Sequence, residues 1–528
     1  MYTTYTYLIL FLGVVFLVYT VLPKKFKWVA LLTSSYIFYA AQSGKLTFFL
    51  VLSTLSVYLG ALAVDKIQSK FDAIRKSLEK EERKKRKLSV QRKKKAVVAL
   101  IIIINFGILA FLKYANFAAE SFVSLAAHFG KEIEFEPLKL VLPLGISFYT
   151  LQAVSYVIDV YRGKYKATKN LAKVALFLSF FPHITEGPIG RFDVIADNIY
   201  EGHKFNYENV TFALQLIFWG LFKKIVIADR ANTFVKTVFE DYKMYNGAVI
   251  VIAVLLYTLQ LYSEFSGCMD IVRGSAGLFG VELQKNFDRP FFSKSVNEFW
   301  RRWHITLGAW LRDYVFYSVS LSKPFMSLSR SAKKHMNAHF ANVIPAAFAL
   351  FFVWLGNGIW HGAAWKYIAY GLYYYVIMLI GMLFEPLIAA FFTKTHINRD
   401  GKVLSALKVL RTFVFVNIGM LMFRAKGLKA FLRMFLSIFE GSFLIGVKNG
   451  ELFNYGIDEK DFIVLIVGFF VMLVISILQE RGHSIRAELA KKPLPLRWAI
   501  YIALITAIVI FGAYGQNYGK VDFIYGQF

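Results

Sequence analysis

One cysteine in 528 residues, Cys268, excludes an intramolecular disulfide and a cysteine-based metal cluster. It is read as an apolar membrane residue, with a nucleophilic role the alternative. No GxxxxGK[ST] phosphate loop occurs, and no GxGxxG opens a helix after a strand, so nothing points to ATP hydrolysis or dinucleotide binding. HExxH is missing as well. A two-histidine site without a third ligand is poor for metal, so none is expected. The apolar run from Tyr5 to Leu22 has no basic region before it and no small-residue cleavage site after it, and therefore reads as a first span rather than a signal peptide. The chain shows no internal repeat. Acidic residues are scarce, 34 against 62 Lys and Arg, which leaves a formal net charge of +28.

What is abundant is apolar surface. Hydrophobic residues make up 57% of the chain and aromatics 17%, with a mean hydropathy of +0.50. A soluble chain of this length would split into domains with polar surfaces between them. Here apolar runs of spanning length recur, at 5–22, 28–41, 46–64, 96–112, 138–160, 172–184, 208–228, 247–263, 343–360, 366–385, 406–424, 461–479 and 497–514. The chain is therefore expected to be an all-α integral membrane protein, a polytopic helical bundle. Charge placement sets its topology. The loop after the first run holds Lys24, Lys25 and Lys27, the next holds a single Lys, and residues 65–95 hold fourteen Lys or Arg against five Asp or Glu. By the positive-inside rule the first and third loops are cytoplasmic and the N-terminus lies outside. The basic stretch Lys80–Lys95 lacks interleaved aromatics and sits between spans, so it reads as a solvated hairpin near anionic headgroups, not a nucleic-acid site.

Two segments interrupt the spanning pattern. Pro143 and Gly145 open a stretch carrying Ser147, Tyr149, Gln152 and Ser155, and Phe180–Arg191 packs two prolines, two glycines, His183, Glu186 and Arg191 into twelve residues. Irregular backbone at membrane depth survives only when buried in protein or lining a wet cavity. Both are expected to be re-entrant segments around a central cavity or tunnel, with an exposed loop the alternative for 181–192.

The densest polar cluster lies between Arg289 and Asp313: Arg289, Lys294, Glu298, Arg301, Arg302, His304, Arg312 and Asp313. An Arg, Lys or Asp at a bilayer centre costs roughly 2.5–3.5 kcal/mol, so this cluster does not face lipid. Further on, Trp360-His361-Gly362 ends an apolar span. Imidazole has an unperturbed pKa near 6.5, suited to taking a proton at working pH. His361 is thus a candidate base, with a buried histidine bonded to backbone as the alternative, and Gly362 beside it leaves room for an approaching group. His304, three or four positions from Trp300 and Arg301, would share one helical face with them. Arg301, Arg302 and Arg312 could hold anionic groups, or form a scaffold with Glu298 and Asp313.

In order along the chain, GISFYTLQAVSYVIDVYRGK, FFPHITEGPIGRF, LYSEFSGCMDIVRGSAGLFGVELQKNFDRPF, NEFWRRWHITLGAWLRDYVFY, GIWHGAAW and MLMFRAKG resemble the bacterial branch of the membrane-bound O-acyltransferase family. The resemblance covers roughly residues 5 to 430 and implies a domain order of 1–137, a catalytic core at 138–430, and further spans at 431–528. It implies a catalytic His361 with His304 as its partner, and substrate contacts from Arg301, Arg302, Trp303, Arg312, Asp313 and Trp360. It also implies a bacterial plasma-membrane enzyme with no tightly bound cofactor. A cytoplasmic thioester would be the donor, acetyl-CoA or an acyl carrier protein's phosphopantetheine. The acceptor would be a cell-surface polymer, either a polysaccharide taking acetyl or a teichoic acid taking D-alanine. An extracytoplasmic esterase-like partner would accompany O-acetylation. One departure stands out: after the Arg-Asp-Tyr motif the chain reads Tyr317-Ser-Val-Ser-Leu-Ser-Lys, where alginate-type members carry an Ile-Pro-Leu-Gly-Gly-like turn.

Overall fold

In the computed structural model, which describes residues 2–444, 446–514 and 518, the fold is all-helical, and among the described residues the only β pairing is a bridge between Phe287 and Trp303. The helices are α1 (Leu12–Val21), α2 (Lys24–Ser43), α3 (Thr47–Ile74), α4 (Lys80–His128), α5 (Ile146–Arg162), α6 (Leu171–Ser179), α7 (Phe192–Glu201) and α8 (Tyr207–Leu221). There follow α9 (Asp229–Glu240), α10 (Gly247–Leu278), α11 (Val296–Arg302), α12 (Ile305–Trp310), α13 (Tyr317–Ser320), α14 (Lys323–His335) and α15 (Ala338–His361). The last are α16 (Trp365–Thr395), α17 (Lys402–Arg424), α18 (Leu428–Ser437), α19 (Glu459–Glu480), α20 (Ile485–Ala490) and α21 (Leu494–Phe511). Among the described residues nine helical runs are long and apolar enough to cross a membrane. This is a multi-pass membrane protein. The far end of the C-terminal region 431–528, at 519–528, lies outside the described residues.

Two compact units divide the chain, Met1–Leu214 with Val272–Gln284, and Gln215–Ile271 with Lys285–Phe528. In the first unit the sequence reading needs correction at two expected spans. The run 138–160 becomes an extended stretch followed by the 17-residue α5, and 172–184 becomes the nine-residue α6. Both are shorter than the roughly 20 residues a span needs. Their apolar character comes from burial in protein, since Phe148 to Val157 are buried on every face of α5. Gly145, at φ 70°, starts α5 where a Cβ would lie 2.3 Å from the Ile184 carbonyl oxygen. Only glycine permits that approach. Residues 180–191 are buried throughout, which removes the exposed-loop alternative for this segment.

The basic hairpin is more regular than expected. Its second arm is the start of α4, a single 49-residue helix. At 1.5 Å per residue it is about 74 Å long, over twice a hydrocarbon core of about 30 Å. The apolar half is tied to α3 by Asn105, which accepts from Ser53 at 2.6 Å and donates to Ser56 at 2.9 Å. At the charged end Lys94 donates to Gln68 at 2.8 Å and lies over the Tyr161 ring. Beyond that pair the basic residues are exposed.

Candidate active site

Both motif histidines lie in the second unit, and its helices bring them to one buried aromatic cluster. His361 is the last residue of α15 and is buried; its ring meets Phe423 of α17 edge-on at 5.2 Å and Tyr370 of α16 at 5.7 Å. Trp360 packs against both histidines, at 5.2 Å from His361 and 5.6 Å from His304. His304 is closed on its other side by Phe265 of α10, at 4.9 Å.

His361 is fixed by a close helix contact. A Cβ on Gly371 would fall 2.3 Å from the Trp354 carbonyl oxygen, and one on Gly358 would fall 2.4 Å from that of Tyr367. Small residues let α15 and α16 touch backbone to backbone, as membrane helices do where dispersion and not hydrophobicity holds them. The space beside Gly362 is not left for a substrate: a Cβ there would meet the Tyr367 ring at 2.4 Å. The glycine admits a protein side chain, which corrects the sequence reading of that residue.

His304 also departs from expectation. Helix α11 stops at Arg302, so His304 does not share a helical face with Trp300 and Arg301. It takes a left-handed conformation, φ 48° and ψ 50°, before α12. A non-glycine residue there costs about 1–3 kcal/mol, and surrounding structure has to hold it. Asn286 does so. Its carbonyl accepts from the Ile305 N–H at 3.0 Å, and its side-chain oxygen accepts from the Thr306 N–H at 3.0 Å and hydroxyl at 2.6 Å. The neighbouring Phe287–Trp303 bridge completes the clamp. Burial pushes the His304 imidazole down to about 3, so at neutral pH it is an uncharged hydrogen-bonding group.

The other candidates do not share one role. Trp360 lies between the histidines, as described. Arg302 is ion-paired with Glu298 at 2.8 Å and with Glu480 at 3.0 Å, a scaffold joining α11 to the end of α19. Trp303 is buried against Phe299, at 5.4 Å and nearly parallel, and edge-on to Phe287 at 5.0 Å. Arg312 and Asp313 pair with each other at 3.1 Å on a π-helical turn, Leu311–Phe316, while Arg301 is exposed.

Sequence reasoning missed Tyr370, Phe423, Phe265 and Asn286. A signal existed for the first: Tyr367, Tyr370 and Tyr374 recur at helical spacing and are all buried on one face of α16. It also took 208–228 as a plain span, whereas the end of that run is a π-helix, Phe222–Ala228, with buried charges. Lys223 pairs with Asp270 at 2.6 Å; Lys224 pairs with Asp229 at 2.7 Å and Glu264 at 3.1 Å; nearby Arg230 pairs with Asp461 at 2.8 Å.

Residues 166–333 match the model of the membrane-bound O-acyltransferase (MBOAT) family, a segment that includes His304 and stops short of His361. The chain is 34% identical over 343 residues to the probable alginate O-acetylase AlgI of Pseudomonas aeruginosa, 64% of this chain and 59% of that one. It thus spans about three fifths of that relative's length. To the protein of the same name from Azotobacter vinelandii it is 29% identical over 444 residues, 83% of this chain and 78% of the other. With the teichoic acid D-alanyltransferase of Bacillus subtilis it shares 29% over 300 residues, 55% of this chain and 70% of the other. Over residues 166–333 this multi-pass membrane protein carries a segment that matches the membrane-bound O-acyltransferase family model.

Proposed function

We propose that this protein is an O-acyltransferase that moves a short acyl group, acetyl in our reading, from a cytoplasmic thioester to hydroxyls of an extracytoplasmic polysaccharide. The observation that carries it is the packing of His304 and His361 against Trp360 in a buried aromatic cluster, in a chain resembling alginate O-acetylases. A ring nitrogen of His361 takes the acceptor hydroxyl proton as that oxygen attacks the thioester carbonyl. The tetrahedral adduct collapses, the C–S bond breaks, and the thiolate leaves and recovers a proton. His304, held uncharged, orients the acceptor by hydrogen bonding. The surrounding aromatic walls keep bulk water from competing for the thioester. Thioesters are sufficiently activated that no nucleotide is needed, which suits coenzyme A or a carrier protein's phosphopantetheine as donor.

D-Alanyl transfer to teichoic acid is the second reading, favoured by the Bacillus subtilis relative and by the altered sequence after Tyr317. Mass spectrometry of surface polymer from a deletion strain separates the two. Loss of ester-linked acetate is expected. Loss of alanine esters with acetate unchanged would transfer the assignment to the second reading, and loss of neither would end both.

The sidedness of this scheme follows from charge. The positive-inside rule supports reading the Lys80–Lys95 end of α4 and the Lys24–Lys27 end of α2 as cytoplasmic and the N-terminus as outside. A single cysteine at position 84, with Cys268 replaced, is expected to react with an impermeant thiol reagent only after the membrane is opened. Reaction in intact cells would reverse the topology and the side of donor entry.

A further inference from the structure

An apolar groove of about 740 Å3 runs within the second unit between α10, α17 and α19. Its floor includes Thr258, Leu465 and Met472, all buried, and its rim includes Leu255, Leu410, Ile466 and Phe469, 41–57% exposed. Arg289, at one end, is the one charged residue in its lining among the described residues. Along α19 the lining extends from Phe462 to Ser476, about 21 Å at the helical rise. One leaflet of a hydrocarbon core is about 15 Å deep, so the groove accommodates the full length of an acyl chain.

The charged end indicates which lipid. Arg289 itself is held by Asp288 and Glu480, both at 2.8 Å. Beside it, where Phe291 meets Phe413, Arg411 donates to the Lys294 carbonyl at 3.1 Å, which sets two exposed cations at this end. From here α19 leads into a stretch with Arg481, Arg486, Lys491, Lys492 and Arg497, the cytoplasmic side by the positive-inside rule. We infer that the groove binds an acyl chain of an anionic glycerophospholipid from the cytoplasmic leaflet, its phosphate on Arg411 and Lys294. The occupant would touch the active site indirectly. Tyr262 and Phe291 line the groove and also pack against Trp303, the residue before His304.

The test compares phosphatidylglycerol with phosphatidylcholine on the full-length protein in detergent, reading retained lipid by mass spectrometry and thermal unfolding with each lipid added. Preferential retention of phosphatidylglycerol and a higher unfolding midpoint are expected. An exposed cation near a membrane surface changes anionic-lipid binding about fivefold, so Lys294→Gln/Arg411→Gln should lower the preference about thirtyfold. Leu259→Trp, which fills the groove and leaves the cations, should reduce retention of both lipids. Equal retention of the two lipids by the unaltered protein, or an unchanged preference in the double variant, would show that the groove meets lipid only as solvent. Disulfide-linked dimers through a cysteine placed at 466 in native membranes would show that a second copy covers it, and would also overturn the proposal.

Discussion

His361→Ala is expected to lower acyl transfer by roughly 10²–10⁴-fold, the range a positioned general base contributes. The protein should still insert and fold. The ring's neighbours, Phe423, Tyr370 and Trp360, are held by their own helices, and the α15–α16 contact runs through Gly358 and Gly371. Transfer of labelled acetyl to polymer by purified protein measures the loss, and thermal unfolding controls for folding. Near wild-type transfer would remove His361 from the chemistry. His304 needs a different substitution. Alanine at its left-handed backbone adds strain of its own, whereas asparagine tolerates that conformation and keeps a hydrogen-bonding group. His304→Asn therefore reports on the imidazole, and His304→Ala on imidazole and backbone together.

The largest stability effect is expected at Lys224. Its side chain is 2% exposed and pairs with Asp229 and with Glu264, itself 2% exposed. Lys224→Met leaves two carboxylates in a low-dielectric interior without their cation. Breaking a buried pair in this way costs about 3–5 kcal/mol, while removing both partners together costs far less. The double variant Lys224→Met/Glu264→Met should thus recover part of the loss. Unfolding midpoints in one detergent measure both. A single variant as stable as the parent, or a double variant worse than the single, would show that the ion pairs do not hold α10 to the Phe222–Ala228 turn.

Much of the fold was legible because a bilayer makes a simple demand on sequence. A span must be long and apolar; the runs at 96–112, 247–263, 343–360, 366–385, 406–424 and 461–479 each fall inside an observed apolar helix, and 497–514 overlaps one that ends at Phe511. The same logic failed at 138–160 and 172–184, where α5 and α6 are apolar because other protein surrounds them, and the run 5–22 forms an apolar helix, Thr6–Val21, shorter than the nine spanning runs. Hydropathy does not distinguish lipid from protein interior. The length of α4 was also beyond reach, since a charged extension of a span reads as a loop although nothing in it breaks a helix.

The sequence by itself determined that this is a polytopic helical membrane protein, which end of its second and fourth helices is basic, and that two histidine motifs stand in an otherwise apolar chain. Only the tertiary structure decided that both histidines pack against Trp360. Phe265, Tyr370 and Phe423 from three helices pack around them, and Asn286 bonds the backbone that follows His304. The cations were settled in the same way: Arg302 finds Glu480 across 178 residues, and Arg230 finds Asp461 across 231. Helical periodicity reports which residues share a face a turn or two apart. Partners brought together by packing carry no such local signature, so a charged side chain within an apolar run looks the same in sequence whether it binds substrate or braces two helices.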